Sequence, residues 1–216
     1  MFSSIFKYDG PVWRMLNNIT DVLCLSLLWC LCSLPVVTVG AATTALYDAA
    51  VRGIRYRQDG CCRRFFRTFR AELKSGALLS LLWGAVLLFG FFMLSILKAA
   101  ALEDPGLTVF AGIYRVVLLF PLGAACWSCA VLSRFVYRFR DLIATALRFT
   151  VGHLPATAAI SCVTWLAGWF CLSNLLPFAF APALAALVCS LFAEPVFRKY
   201  GGSLEPEAQA APEETV

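Results

Sequence analysis

"GALLSLLWGAVLLFGFFMLSIL", residues 76–97, contains no charged residue and no side-chain amide. At a rise of about 1.5 Å per residue, a helix of this length covers about 30 Å, the hydrocarbon thickness of a bilayer. The rest of the chain has the same character: of 216 residues, 61% are hydrophobic and 14% charged, with a mean hydropathy of +0.78. Soluble domains are nearer about half apolar and about a quarter charged. A chain of this length has no core large enough to hide the surplus, so the medium for these segments is lipid.

Further apolar runs lie on both sides of that stretch. The first covers 19–39, with Asp21 near its start and Pro35 near its end. Downstream come 107–133, which holds Arg115 and Pro121, then 154–172 and 175–193. Only Ser173 and Asn174 separate the last two, which reads as a tight helical hairpin. In hydrocarbon every backbone group must be satisfied within the segment, and no alternating barrel pattern is visible. The reading is therefore all-α: a polytopic transmembrane helical bundle of about five spans, one integral membrane domain over residues 1–202. The remainder, 203–216, has four Glu, two Pro and no aromatic residue. Such a segment is expected to be a disordered acidic tail. The first run is too long for a secretory signal, and its positive charge follows it rather than precedes it.

Lysine and arginine gather in cytoplasmic loops. Fourteen of them fall between the first and second runs, between the third and fourth, or after the fifth; only Lys7, Arg14 and Lys98 lie on the other side. That places the C-terminus in the cytoplasm and, if the first run crosses fully, the N-terminus outside. The alternative is a re-entrant hairpin turned back at Pro35 and Gly40, with the N-terminus inside. The two basic loops are patterned. Over 62–74, Cys62, Phe65, Phe66, Phe69 and Leu73 share one side of a helix, flanked by Arg63, Arg67, Arg70 and Lys74. Phe135, Phe139, Leu142, Ala146 and Phe149 form a second stripe, opposite Arg134, Arg138, Asp141, Thr145 and Arg148. Two amphipathic helices lying in the cytoplasmic interface are expected, aromatic faces in the acyl boundary and basic faces toward anionic head groups. Arg63, Arg67, Arg70 and Lys74 are the candidate lipid or partner face; the plainer reading is that they only set topology. Asp48 and Arg52 stand four residues apart, with Arg55 one turn on, as a helical ion pair requires. No nucleic-acid motif accompanies these charges, which sit against the bilayer.

Small residues at four-residue spacing mark helix contacts in lipid. Ala41, Ala45, Ala49 and Gly53 form one such line; Gly76, Ser80 and Gly84 a second; Ala181, Ala185, Cys189 and Ala193 a third. The stretch "SLPVVTVGAATTALYDAAVRGIRYR", 33–57, then reads as a packing joint in which Pro35 breaks the helix and Thr38 and Thr43 cover freed carbonyls. In a second reading, the broken helix ends line a solute path. Pro35, Thr38, Gly40, Ala41, Thr43 and Ala45, with "FFRTFRAELKSG" and "SRFVYRFRDLIATALRFTVGHLPATAAI" after them, resemble the YesL-like family of bacterial integral membrane proteins, a domain of unknown function. The resemblance covers roughly residues 1–200. It implies an accessory role in sugar acquisition, because genes of that family often lie beside carbohydrate-uptake genes; it carries over no catalytic residue.

Chemistry is sparse. Eight of the ten cysteines fall inside apolar runs, where a thiol acts as filler. The "CWSC" at 126–129 has redox spacing but sits in the inner half of its run. His153 is the only histidine, so no zinc set is formed. Asp21 and Arg115 are the charges within apolar runs, read either as an ion pair near the outer side or as two side chains reaching head groups separately. Glu194 is read as a helix-end residue near Arg198. No phosphate-binding loop or catalytic triad is present. The expectation is a protein with no enzymatic activity, cofactor or metal: an accessory component that contacts the lipid bilayer and a sugar-uptake transporter or other membrane protein. The alternative is a small-solute transporter working through the broken first helix and the Asp21/Arg115 region.

Overall fold

The structure, a computed structural model, describes residues 11–56, 60–135, 137–173 and 176–200. The expected acidic tail lies outside the described residues. Among those described there is no strand. The helices are α1 (Pro11–Cys32), α2 (Val39–Ala49), α3 (Cys61–Ala71), α4 (Leu73–Glu103), α5 (Leu107–Val117), α6 (Leu119–Leu132), α7 (Phe139–Gly152), α8 (Leu154–Ser173) and α9 (Ala181–Lys199). Short 3-10 turns at Val36–Thr38 and Leu176–Ala179 and a π-helical turn at Ala50–Arg55 complete the path. Among the described residues, four stretches are long and apolar enough to cross a membrane: Leu73–Leu102, Leu107–Leu132, Leu154–Cys171 and Ala181–Lys199. The apolar part of α1, Ile19–Cys32, is shorter. Leu88 on α4 and Trp169 on α8 remain 73% and 65% exposed. Side chains of that kind in such numbers stand outward where hydrocarbon, not water, surrounds them. The chain is an all-α bundle of membrane type.

The first apolar run is not one helix over 19–39. It ends as a helix at Cys32, and residues 33–35 reverse the chain. Pro35 has no N–H to continue a helical ladder and takes an extended conformation. The Thr38 hydroxyl donates to the Cys32 carbonyl at 2.7 Å, closing the turn. From there α2 runs back along α1. The Trp29 indole N–H donates to Thr43 at 3.2 Å. Val22 and Leu25 share one apolar core with Ala45, Leu46, Ala49 and Ala50. Both limbs pass beside α3: Asp21 lies against Cys61, and Asp48 accepts a hydrogen bond from Thr68. The run is a hairpin, which corrects the full crossing expected for it.

Two smaller corrections concern the later runs. The third breaks at Leu118 into α5 and α6, where Pro121 cannot donate to the Val117 carbonyl. Between α8 and α9 the joint is longer than two residues, because Leu176–Ala179 forms its own turn before α9 begins at Ala181.

Close approach fixes the hairpin on α4. The Gly40 N–H donates to the Ser80 hydroxyl at 2.6 Å, and that hydroxyl donates to the Gly76 carbonyl at 3.0 Å. A Cβ on Gly76 would stand 2.5 Å from the Ala41 Cα, too close for any side chain. Gly84, third in the same line, faces open space. The two amphipathic helices are present, but their aromatic stripes face protein. Phe65 of α3 is fully buried against α1 and α2, and Leu142, Ala146 and Phe149 of α7 pack on Trp127 and Phe197. The expectation that these faces lie in the acyl boundary is thus corrected, Phe66 and Leu73 excepted.

Gly76→Ala should destabilise the bundle by about 1–3 kcal/mol, as overpacking of a closed contact does. Gly84→Ala, with the same chemistry in open space, should not. Thermal unfolding of both variants in one detergent checks the pair.

Candidate functional site

The most constrained polar group is Glu194 in α9. Its side chain and that of Arg134, just beyond α6, are 1% and 2% exposed, and Arg134 Nη2 donates to Glu194 Oε1. The Tyr47 hydroxyl donates to Oε1 at 3.4 Å and the Tyr56 hydroxyl to Oε2 at 3.2 Å. One turn along α9, Ser190 accepts from Arg55 Nη1 at 3.0 Å. The π turn makes this geometry available. There the Tyr56 N–H reaches back to Val51 at 3.0 Å, five residues away, and the wider turn presents Arg55 and Tyr56 to α9 while Arg52 stays with Asp48. Gly53 leaves room inside the turn, since a Cβ there would lie 2.2 Å from the Cys61 Sγ. Burying two charges costs several kcal/mol per ion, offset only by good geometry and further hydrogen bonds. Glu194 has those bonds; Arg134 Nε and Nη1 have no partner among the described residues. The placement of Glu194 near Arg198 is therefore corrected: its partner is Arg134. A lone carboxylate at the end of an apolar run was the signal, since it demands a cation at its own depth.

Beside this network a cleft of about 330 Å³ opens between the hairpin, α3 and the end of α6. Asp48 accepts from Arg52 Nε at 2.7 Å and from the Thr68 hydroxyl at 2.9 Å at its base. Arg67, Glu72 and Ser133 complete its polar lining. Partial burial raises the Glu72 carboxyl above its ordinary range. The Cys61 thiol is pushed up to about 12, first by burial and then by the neighbouring Asp21 carboxylate. A variant carrying Cys61 as its sole cysteine should resist maleimide at neutral pH, because the thiolate is the reactive form. Mass spectrometry of treated protein reads this directly.

Asp21 and Arg115 are not brought together. Asp21 sits at the α3 end of the hairpin beside Cys61, whereas Arg115 is exposed on α5, in the second crossing stretch. The exposure of Arg115 is what a side chain extended along its helix toward head groups requires. The residues of 35–45 all stand in the hairpin turn and return limb; Ala41 and Ala45 are fully buried, and Thr43 donates to the Val39 carbonyl at 2.7 Å. All ten cysteines are free thiols. Of the 126–129 pair, Cys126 Sγ meets Thr164 at 3.4 Å and Cys129 Sγ points to the Gly40 carbonyl at 3.9 Å, both as packing groups. His153 packs edge-on against Tyr200. Among the described residues, no three His, Cys, Asp or Glu could hold a metal ion.

One family model matches. It is described as a protein of unknown function, DUF624, and covers residues 22–94. Those residues are the hairpin, the π turn, α3 and most of α4, so the matched region is the Gly40–Gly76 joint with everything it organises. No curated protein and no solved structure matches the chain.

Removing one partner of the buried pair should be worse than removing both. Arg134→Met alone is expected to destabilise by about 3–5 kcal/mol, because it strands Glu194. Adding Glu194→Leu should recover much of that loss. A double-mutant cycle on thermal unfolding in detergent measures the difference.

Proposed function

We propose that this chain is a YesL-like protein of the bacterial plasma membrane that acts without catalysis, as an accessory component of carbohydrate uptake. The DUF624 match falls on the same region as the motif from Pro35 to Ala45 that carries the resemblance. The observation that carries the reading is a division among polar groups. Those at depth are tied to one another: Glu194 to Arg134, Tyr47 and Tyr56, and Arg55 to Ser190. Arg52, Arg67 and Glu72 instead line an open cleft. A closed interior with an open polar cleft suits a protein that holds a partner at its surface, better than one that passes a solute.

The basic side is the cytoplasmic side in this reading. The hairpin returns to the side it left, so the N-terminus joins the C-terminus there, and Lys7 and Arg14 move to the positive count. A phosphatase reporter fused before residue 10 should be inactive, as it is when held inside the cell.

Uptake supplies the functional test. Deleting the gene should lower entry of a labelled oligosaccharide, while the purified chain in liposomes moves none. Solute flux in the liposomes would replace this reading with the transporter one. Unchanged uptake in the deletion strain would remove the link to carbohydrate.

A further inference from the structure

The helices that cap the basic side expose a second surface besides the one docked on the bundle. Phe66 on α3 and Leu73 at the start of α4 remain 43% and 39% exposed, and Arg63 and Arg70 of α3 and Lys74 of α4 stand exposed beside them. Arg67, the fourth cation of the row, turns instead toward the cleft. Arg63, Arg70 and Lys74 take part in neither of the ion pairs found among the described residues, Arg52–Asp48 and Arg134–Glu194.

Position along the chain fixes the depth of this surface. Through Glu72, α3 passes directly into α4, whose first turns direct Leu78 and Leu81 outward. Phe66 and Leu73 thus stand where the chain enters hydrocarbon. The arrangement recurs independently on α7, where Leu147 and Val151 are exposed with Arg140 and Arg148 before the chain enters α8 at an exposed Leu154.

We propose that this surface binds the head groups of anionic phospholipids in the leaflet on the basic side. Phe66 and Leu73 enter the acyl boundary, and Arg63, Arg70 and Lys74 contact phosphate oxygens. Charge of a single sign would serve an acidic protein equally well. Large apolar side chains on the edge nearest the crossing helices would not, since a soluble partner leaves that edge to lipid. The repetition at both entry points favours the bilayer again. Each cation near an anionic surface contributes about fivefold in lipid affinity. The effect is electrostatic and weakens as the screening length falls from about 8 Å at physiological salt to about 3 Å at 1 M. This inference stands apart from the accessory reading and does not depend on it.

The test uses the purified full-length chain and native mass spectrometry, with phosphatidylglycerol and phosphatidylcholine offered together. The wild type should retain phosphatidylglycerol preferentially, and the preference should shrink in high salt. The triple variant Arg63→Gln, Arg70→Gln, Lys74→Gln should lose it by about tenfold or more. Equal retention of both lipids by the wild type overturns the proposal, as does a triple variant that keeps the preference. If the triple variant does not fold, the single variant Arg70→Gln and the salt series on the wild type decide, and a salt-insensitive preference overturns the proposal.

Discussion

A carboxylate buried in a low-dielectric interior governs this bundle. Glu194 must be met by donors, and three elements converge on α9 to meet it: α2 through Tyr47, the π turn through Tyr56, and the segment after α6 through Arg134. Tyr47 and Glu194 are 147 residues apart, so the contact closes the last crossing helix on the first hairpin. Apolar helices gain little from one another in lipid, because the surrounding tails are equally apolar. Specificity of assembly then falls to the few polar contacts and to close packing. The Glu194 network supplies the former on the basic side.

Close packing supplies the rest, nearer the middle of the bundle. Gly40 and Gly76 let two backbones approach until one N–H reaches a serine hydroxyl on the other helix. Similar hydroxyl and indole links recur: Trp83 donates to Ser128 at 3.1 Å, and Trp127 donates to Thr157 at 3.0 Å. Each such donor would otherwise be stranded in hydrocarbon, so the links fix the rotation of each helix as well as its neighbour. The hairpin, α4, α6 and α8 are thereby locked in phase.

How much of this could be read from sequence depends on the physical range of each signal. The crossing helices were legible because apolar length is a local property: 76–97 and 154–172 fall inside α4 and α8. The break at Pro35 was legible too, but its consequence stayed divided between a full crossing and a re-entrant hairpin. A proline that kinks a helix and one that ends it leave the same local pattern, and only the fit of Ala45 and Ala49 against Val22 and Leu25 separates them. The Phe65 stripe was assigned to lipid for a similar reason, since hydrophobic periodicity reports a buried face without naming what buries it. Asp21 was set near Arg115 because that inference took 19–39 as one continuous helix. Glu194 was passed over because proximity in sequence to Arg198 offered a ready partner. Its true partner precedes it by 60 residues.

The π turn at Ala50–Arg55 has a consequence for how such a chain can change. A π turn is one surplus residue accommodated within a helix, at no change in the path on either side. Deleting a single residue from the turn would restore ordinary winding and close the wide turn that presents Arg55 and Tyr56 to α9. Glu194 and Ser190 would then lose those donors. Length in this segment is therefore more tightly bound than side-chain identity, and a deletion here would do more harm than most replacements.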